Sequence, residues 1–339
     1  MQENFRLARY EVVLAAGEEG LLLPPYKGST LRGGFGRAFR HVTCAHRAGQ
    51  CPSCPIKEDC PYAYIFETAP PPGAAALSNY EAVPRPFVLE PPLEERTCYA
   101  PGEELCFHLV LMGRAIDYLP YFAVSFRQMG RVGMGKGKRH FYLREIRGVN
   151  PVSGASSLVY SAAQPLHAPG AHAVSWRQLV EGCLPPAAGR VDRVRLRFLT
   201  MTRLKYEGRF VERVEFHVLV RNLLRRVSAL AYFHHGFAWR EDFGALIRRA
   251  MEVKLLRDEC RWVDWQRYSA RQDSKINLGG VVGLVEYSGE LGEFLPLLLL
   301  GQHIHVGKAC VFGMGQYRLE LPEISPAGGE IAVLGEVGA

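Results

Sequence analysis

Four cysteines, Cys44, Cys51, Cys54 and Cys60, stand at C-x6-C-x2-C-x5-C spacing, with a proline directly after each of the last three. Thiolates this close in sequence are most simply the ligands of a closed tetrahedral metal site, zinc first and an iron–sulfur cluster as the alternative. With every ligand drawn from protein, such a site has no open position and is expected to be structural. The remaining cysteines, Cys98, Cys106, Cys183, Cys260 and Cys310, are scattered and read as small buried hydrophobes.

Histidine is the side chain best suited to moving protons near neutral pH, and the chain has eleven. His41 and His46 lie beside Arg37, Arg40 and Arg47, and His46 is also an alternative metal ligand. His234 and His235 follow a long apolar-periodic stretch, while His303 and His305 precede a glycine-rich loop. Spacing alone does not separate these pairs. No G-x-S-x-G, H-E-x-x-H or paired acidic signature is present to suggest serine hydrolase, metalloprotease or glycosidase chemistry.

Cationic residues gather in several short runs. Lys136, Lys138, Arg139 and His140 suit a polyanion whose charge repeats along a strand, although such a run also reads as a solvated turn. The loop GKACVFGMG carries Lys308 among Gly307, Gly313 and Gly315, and its glycines would let backbone N–H groups face a phosphate. It is no Walker loop, because the order here is helix, loop, strand. His217, Arg221 and Arg225 fall at i, i+4 and i+8 and form one basic stripe on a helix. Arg203, Lys205, Tyr206, Arg209, Trp262, Trp265, Arg267, Tyr268, Arg271 and Lys275 interleave cations with rings. That mixture suits single-stranded RNA, whose bases stack on rings while its phosphates meet Lys and Arg; the plainer reading is a wet helix face with core tryptophans.

The elements that must hold these residues are read from periodicity. Phe5–Ala16 is a strand, followed by a helix over LRGGFGRAFRHV with Ser29 or Thr30 as its N-cap. Extended segments at Tyr62–Thr68, Arg85–Leu89 and Glu104–Met112, a helix at Ile116–Met129 and a strand at His140–Arg147 complete a β-α-β-β-α-β order with a cysteine-rich insertion at 44–60. A second round has strands at Val194–Leu204, Cys260–Ser269, Leu278–Ser288 and Gln316–Leu321, and helices at Val214–His235, Phe243–Leu256 and Leu291–His303. The two rounds end alike: YLPYFAVSFRQMGRVGMGKGKRHFYL (118–143) and FLPLLLLGQHIHVGKACVFGMGQYRL (294–319) share aromatic-Leu-Pro, a helical stretch and Gly-Met-Gly before a strand. Two tandem α+β domains follow, at 1–150 and 191–325, with a Pro/Gly/Ala/Ser-rich linker at 151–190 and a tail at 326–339.

Composition agrees. A length of 339 residues predicts about two domains, and 48% hydrophobic with 22% charged residues is ordinary globular usage. The N-terminal stretch is charged where a signal peptide is apolar, and no run approaches the ~20 apolar residues of a membrane helix, so a cytoplasmic protein without a membrane partner is expected. A net charge of +7 permits an anionic partner without requiring one.

The segment 294–319 resembles the C-terminal glycine-rich signature of the CRISPR repeat-processing endoribonucleases of the RAMP superfamily, Gly307, Gly313 and Gly315 matching its G-x5-G-x-G core. The resemblance extends to LAYFHHG (230–236), WVDWQRYSARQ (262–272), LGGVVGLVEY (278–287), YKGSTLRGGFGRAFRHV, the cysteine cluster with PYAYIFET, and RAIDYLPYF. It implies two ferredoxin-like (RRM-like) domains and cleavage of precursor CRISPR RNA within each repeat, with the product kept as guide RNA and other CRISPR effector subunits as further partners. The implied reaction is attack of the RNA 2′-OH on the adjacent phosphate, needing a base, an acid and a cation but no catalytic metal. By the family's usual placement near the first helix, His41 is the first catalytic candidate and His46 the second, with Tyr26, Lys27 and Arg47 orienting groups or stabilising charge. The glycine loops, the basic helix and His305 would hold RNA. A non-catalytic RAMP subunit that binds guide RNA is the main rival, and a protein that docks a partner through its zinc module is a more distant one.

Overall fold

The computed structural model describes residues 3–46, 51–68, 83–162, 172–186, 188–269 and 274–321. The first half is built from β1 (Arg6–Ala16), α1 (Gly28–Thr43), α2 (Pro61–Phe66), β2 (Phe87–Glu90), β3 (Glu104–Met112), α3 (Leu119–Val132), β4 (Phe141–Val149) and β5 (Ser156–Ser161). Its strands form one antiparallel sheet in the order β2-β3-β1-β4-β5, the first four positions being the ferredoxin-like arrangement. The second half follows α4 (Trp176–Cys183) with β6 (Arg193–Thr202), α5 (Phe216–His235), α6 (Phe243–Glu252), β7 (Lys254–Asp258), β8 (Arg261–Val263), β9 (Gln266–Ser269), β10 (Ser274–Asn277), β11 (Gly280–Ser288), α7 (Leu295–Ile304) and β12 (Tyr317–Glu320). Its sheet runs β7-β11-β6-β12, again antiparallel, with β8 also on β11 and β9–β10 forming a separate hairpin. Substituting like for like, the two orders are identical. Among the described residues no helix is long and apolar enough to cross a membrane.

The repeated aromatic-Leu-Pro is a helix start. In both α3 and α7 a proline occupies the first turn after a short 3-10 turn, where its missing N–H leaves no bond unmade. The two helices then differ in burial. Helix α3 keeps Tyr121, Val124, Arg127 and Arg131 in solvent, whereas α7, LPLLLLGQHI, is apolar on nearly every side and buried throughout its leucines.

The core is shared rather than split between halves. Phe5, Leu7, Val88, Val110 and Met112 of the first half join the core of the second, while Met201, Val311, Phe312 and Met314 of the second join the core of the first. Around α1 the rings of Phe35, Phe39, Phe66, Phe87, Phe122 and Phe126 pack with centroids mostly 5–6 Å apart. Such pairs each contribute about 0.5–1.5 kcal/mol beyond burial. This cluster fixes α1 against α2, α3 and the sheet.

Several expectations are corrected. The segment at Tyr62–Thr68 is not extended; Pro61–Phe66 is a helix, and Tyr62 stacks on Phe66 four residues on. Helix α1 begins at Gly28, earlier than Ser29 or Thr30 would cap it, and no side chain caps its start. Residues Lys254–Asp258 leave the predicted helix to pair with β11, and Cys260–Ser269 divides into β8 and the hairpin strand β9. The region 151–190 is more than a linker. It supplies edge strand β5 and helix α4, which opens with a Ser175–Gln178 capping box and buries Trp176 and Leu179 in the second core.

Candidate functional site

Helix α1 carries one of the five catalytic candidates, His41, with Tyr26 and Lys27 just before its start and His46 and Arg47 just after its end, and it holds those ends apart. At its start the Tyr26 hydroxyl donates to the Phe312 carbonyl at 2.7 Å, and the ring meets Trp265 edge to face at 4.9 Å. Burial pushes the Tyr26 phenol up, so it remains a donor. Lys27 is fully buried, and its ammonium donates to the carbonyls of Glu94 at 2.8 Å and Pro25 at 3.1 Å. Burial lowers its pKa, with Glu94 and Glu95 opposing. Tyr26 and Lys27 therefore fasten the helix start to its surroundings. Thirteen positions later, about 20 Å along the axis at ~1.5 Å per residue, His41 is exposed in the last turn, and His46 is exposed just beyond. The expectation that Tyr26, Lys27 and the two histidines form one constellation is overturned by this separation. Arg47 lies outside the described residues.

Burial sorts the histidines that spacing left together. His234 is buried with Nε2 on the Pro84 carbonyl at 2.8 Å and Nδ1 3.3 Å from the Tyr64 hydroxyl; burial pulls its pKa down to about 3, a neutral ring. His235 stacks on Phe5 at 4.2 Å and sits on the Arg6 backbone, and burial lowers it too. His303 is lowered to about 4 by burial. His172 contacts Ser157, His217 lies edge-on to Tyr206, and His108 is half-buried beside Glu90. Exposed histidines among the described residues are His41, His46 and His140.

His305 is the clearest correction. It was expected to contact RNA, yet it is 0% exposed and has φ 64°. Its Nε2 meets Glu90 Oε1 at 3.0 Å and its Nδ1 meets the Met314 carbonyl at 3.0 Å, so both ring nitrogens face acceptors. Arg9 donates to the other Glu90 oxygen at 2.9 Å, and His108 stands 3.9 Å from it. Burial alone would raise the Glu90 pKa; the hydrogen bond from His305, then Arg9 and the charges around it, hold it down to about 2. This is an ion cluster between the halves, with Arg9, Glu90 and His108 from the first sheet and His305 from the second half.

The second glycine loop is likewise turned inward. Gly307, Gly313 and Gly315 all have positive φ, and a Cβ on each would overlap the chain's own backbone or proline ring: the Arg203 carbonyl, Pro91 with the Leu89 carbonyl, and the Val306 carbonyl. Val311 and Phe312 pack into the first core. The glycines thus serve domain docking, and only Lys308, exposed at the loop's rim, presents a side chain outward as an RNA contact requires.

The first glycine loop faces solvent. Lys136, Lys138 and His140 are exposed, while Arg139 donates to the Glu19 carbonyl at 2.6 Å and is half-buried. On α5 the expected stripe is uneven: Arg225 is exposed, but Arg221 lies 5.7 Å over the Tyr206 ring, and burial lowers the His217 pKa. Arg267 sits on hairpin strand β9, and Arg271 falls outside the described residues. Cys44 follows α1, Cys60 precedes α2, and all four cysteines are free thiols. No three His, Cys, Asp or Glu side chains among the described residues are arranged to hold a metal.

Two features escaped sequence reasoning. Glu90 and His305 are 215 positions apart, and the only trace of their pairing is a glutamate ending the otherwise apolar strand FVLE. Arg127 and Arg131, four residues apart on α3, belong to no motif that the sequence offers.

Residues 196–317 match the family model described as CRISPR-associated endoribonuclease Cas6. That segment of the chain is a Cas6 domain. Residues 5–172 match a second model, described as an N-terminal domain. An uncharacterised protein of Archaeoglobus fulgidus is 27% identical over 118 residues, 35% of this chain and 39% of that protein. Cas6 of Thermus thermophilus superposes with TM-score 0.54 at 17% identity, covering 93% of this chain and 99% of that one. A Cas6 product complex gives 0.57 at 17%, covering 92% and 100%. The partial Cas6-RT-Cas1–Cas2 complex gives 0.58 at 14%, covering 98% of this chain and 48% of that one. The chain thus has the Cas6 fold, and it spans about two-fifths of the curated relative and half of the longer fusion-type chain.

Proposed function

We propose that this protein is an endoribonuclease that cleaves precursor CRISPR RNA within its repeats, without a metal ion, and keeps the product as guide RNA. The observation that carries the reading is the sorting of histidines: among the described residues His41 and His46 remain open together at the end of α1, His140 is exposed on the outward glycine loop, and the rest lie buried or packed against the chain. Arg37, exposed one helical turn before His41, is the nearby cation. In this reading His41 takes the proton of the RNA 2′-OH, whose oxygen attacks the adjacent phosphorus. His46 gives a proton to the departing 5′-oxygen, and Arg37, with Arg47 by sequence position, meets the charge on the pentacoordinate phosphate. The products are a 2′,3′-cyclic phosphate and a 5′-hydroxyl. Lys136, Lys138, His140, Arg225 and Lys308 would hold the RNA backbone, together with Arg267 and Arg271 of the hairpin segment.

The partners follow from the relatives. One Cas6 neighbour is described with its product and another in an assembly with reverse transcriptase, Cas1 and Cas2, and repeat RNA and CRISPR protein subunits are accordingly proposed here. The four cysteines are proposed to close on a structural zinc, or alternatively an iron–sulfur cluster. Supporting this, Arg40 hydrogen-bonds Cys44 and lies near Cys51, and Cys51 lies near both Cys44 and Cys60. A metal there would tie the end of α1 to α2, close to His41. Metal analysis of the purified protein and of a Cys51→Ser/Cys54→Ser variant tests it: one zinc per chain, lost in the variant, is expected, and a metal-free wild type refutes it.

The functional test is incubation with labelled CRISPR repeat RNA in excess EDTA. A single cut leaving a cyclic phosphate is expected. Tight binding without a cut, across several repeats from one genome, would replace this reading with that of a guide-binding subunit.

A further inference from the structure

A cleft of about 540 Å³ opens on the side of α3 that faces β4, well within the volume of small-ligand pockets. Its floor is the close approach of Gly130 to the Phe141 carbonyl, where a Cβ would not fit. Arg127, Arg131, His140, Tyr142 and Tyr160 line it, and among the described residues no carboxylate does.

The contrast with nearby arginines is informative. Arg9, Arg144 and Arg147 of the same sheet are each paired with a glutamate. Arg127 and Arg131 make no ion pair among the described residues, and both are exposed. Tyr142, which also lines the cleft at the edge of β4, is 64% exposed, a large ring left in water. On the far side of β4, its residues 141–143 pair with β1, but β5 pairs only from Glu145 onward, so the strand edge at the cleft is unpaired among the described residues. Two guanidinium forks, a histidine and an open phenol ring are the groups that take a phosphate and a base together. His140 of the cleft follows Lys136 and Lys138 of the first glycine loop in sequence, and both lysines are exposed.

We propose that this cleft is a subsite for an unpaired nucleotide of single-stranded RNA, its phosphate on Arg127 and Arg131 and its base on Tyr142. The proposal rests on the reading of the protein as RNA-binding but not on where, or whether, it cuts. The test compares wild type, Arg127→Ala/Arg131→Ala and Tyr142→Ala for affinity toward a repeat RNA with single-stranded flanks and toward the same RNA with its flanks removed. Thermal melts confirm that the variants are folded. Either variant should bind the flanked RNA roughly 10- to 100-fold more weakly, the usual effect of losing a base-stacking ring or paired phosphate contacts. Photocrosslinking of the wild type to the flanked RNA should recover Tyr142. Folded variants that bind flanked RNA like wild type overturn the subsite while leaving the nuclease reading intact. A wild type that binds the RNA but does not cut it removes the nuclease reading alone, and the subsite is still decided by the variants. A wild type that binds neither RNA overturns both.

Discussion

The two glycine-rich loops share a sequence pattern and a place in the fold, after the second helix of each repeat and before its last strand, yet they face opposite environments. The loop at 130–139 presents Lys136 and Lys138 to water, while the loop at 307–315 sinks Val311 and Phe312 into the first core and sets His305 on Glu90. The Gly-Met-Gly pairs themselves do not differ, since Gly133 and Gly135 abut backbone as Gly313 and Gly315 do; the first loop runs on through Gly137, where nothing lies closer than 3.9 Å to an added Cβ. A glycine signature thus reports that backbone comes close to something, and only the tertiary structure says whether that is ligand or protein.

The sharpest way to break this arrangement is at Glu90. Replacing it with alanine leaves half-buried Arg9 and buried His305 without the carboxylate they both bond, and a loss of about 3–5 kcal/mol is expected in urea unfolding. A smaller effect separates the loops directly. Gly315→Ala combines positive φ with overlap on the Val306 carbonyl and should cost about 3 kcal/mol, whereas Gly137→Ala, with φ 83° but open space, should cost about 1 kcal/mol. Equal losses at the two sites would mean that the second loop is not docked as described.

Acid sharpens the same contrast. Glu90 is held down at about 2 against an ordinary 4.5, so its contribution is present above pH 4.5 and lost as pH falls toward 2. His234 is held at about 3 against 6.5, so the unfolded chain takes up its proton first and stability falls from pH 6.5 toward 3. Melting temperature should therefore decline continuously below pH 6.5, and His234→Gln should flatten the upper part of that decline. The smallest stability effect belongs to the first loop: Lys136→Ala/Lys138→Ala should change unfolding by under ~0.5 kcal/mol. It should instead lower the slope of log affinity against log salt by about 1.4, two phosphate contacts at ~0.7 each for a single strand. An unchanged slope would remove these lysines from the RNA path.

The repeated β-α-β-β-α-β order was legible because each round is punctuated the same way, by a Leu-Pro helix start and a Gly-Met-Gly before the last strand. Local misreadings arose where one residue type serves two structures. Tyr62, Ile65 and Phe66 are strand formers by composition, but they form a helix in which Tyr62 stacks on Phe66 and Phe66 packs against Phe35 and Phe39 of α1. At the candidate site, the sequence grouped His41 and His46 with Tyr26 and Lys27, whose burial against Phe312 and Glu94 is long-range and left no local trace. His305 misled for the same reason, since nothing near it in sequence announces Glu90.

The central claim is that the open histidine at the end of α1 cuts while the outward loop only holds. Single-turnover cleavage of repeat RNA in EDTA, at saturating protein, compares His41→Ala with His140→Ala. The account predicts a 10²- to 10⁴-fold loss for His41→Ala, with binding retained, and a wild-type rate for His140→Ala. Wild-type cleavage by His41→Ala, or loss of cleavage in His140→Ala alone, would contradict it.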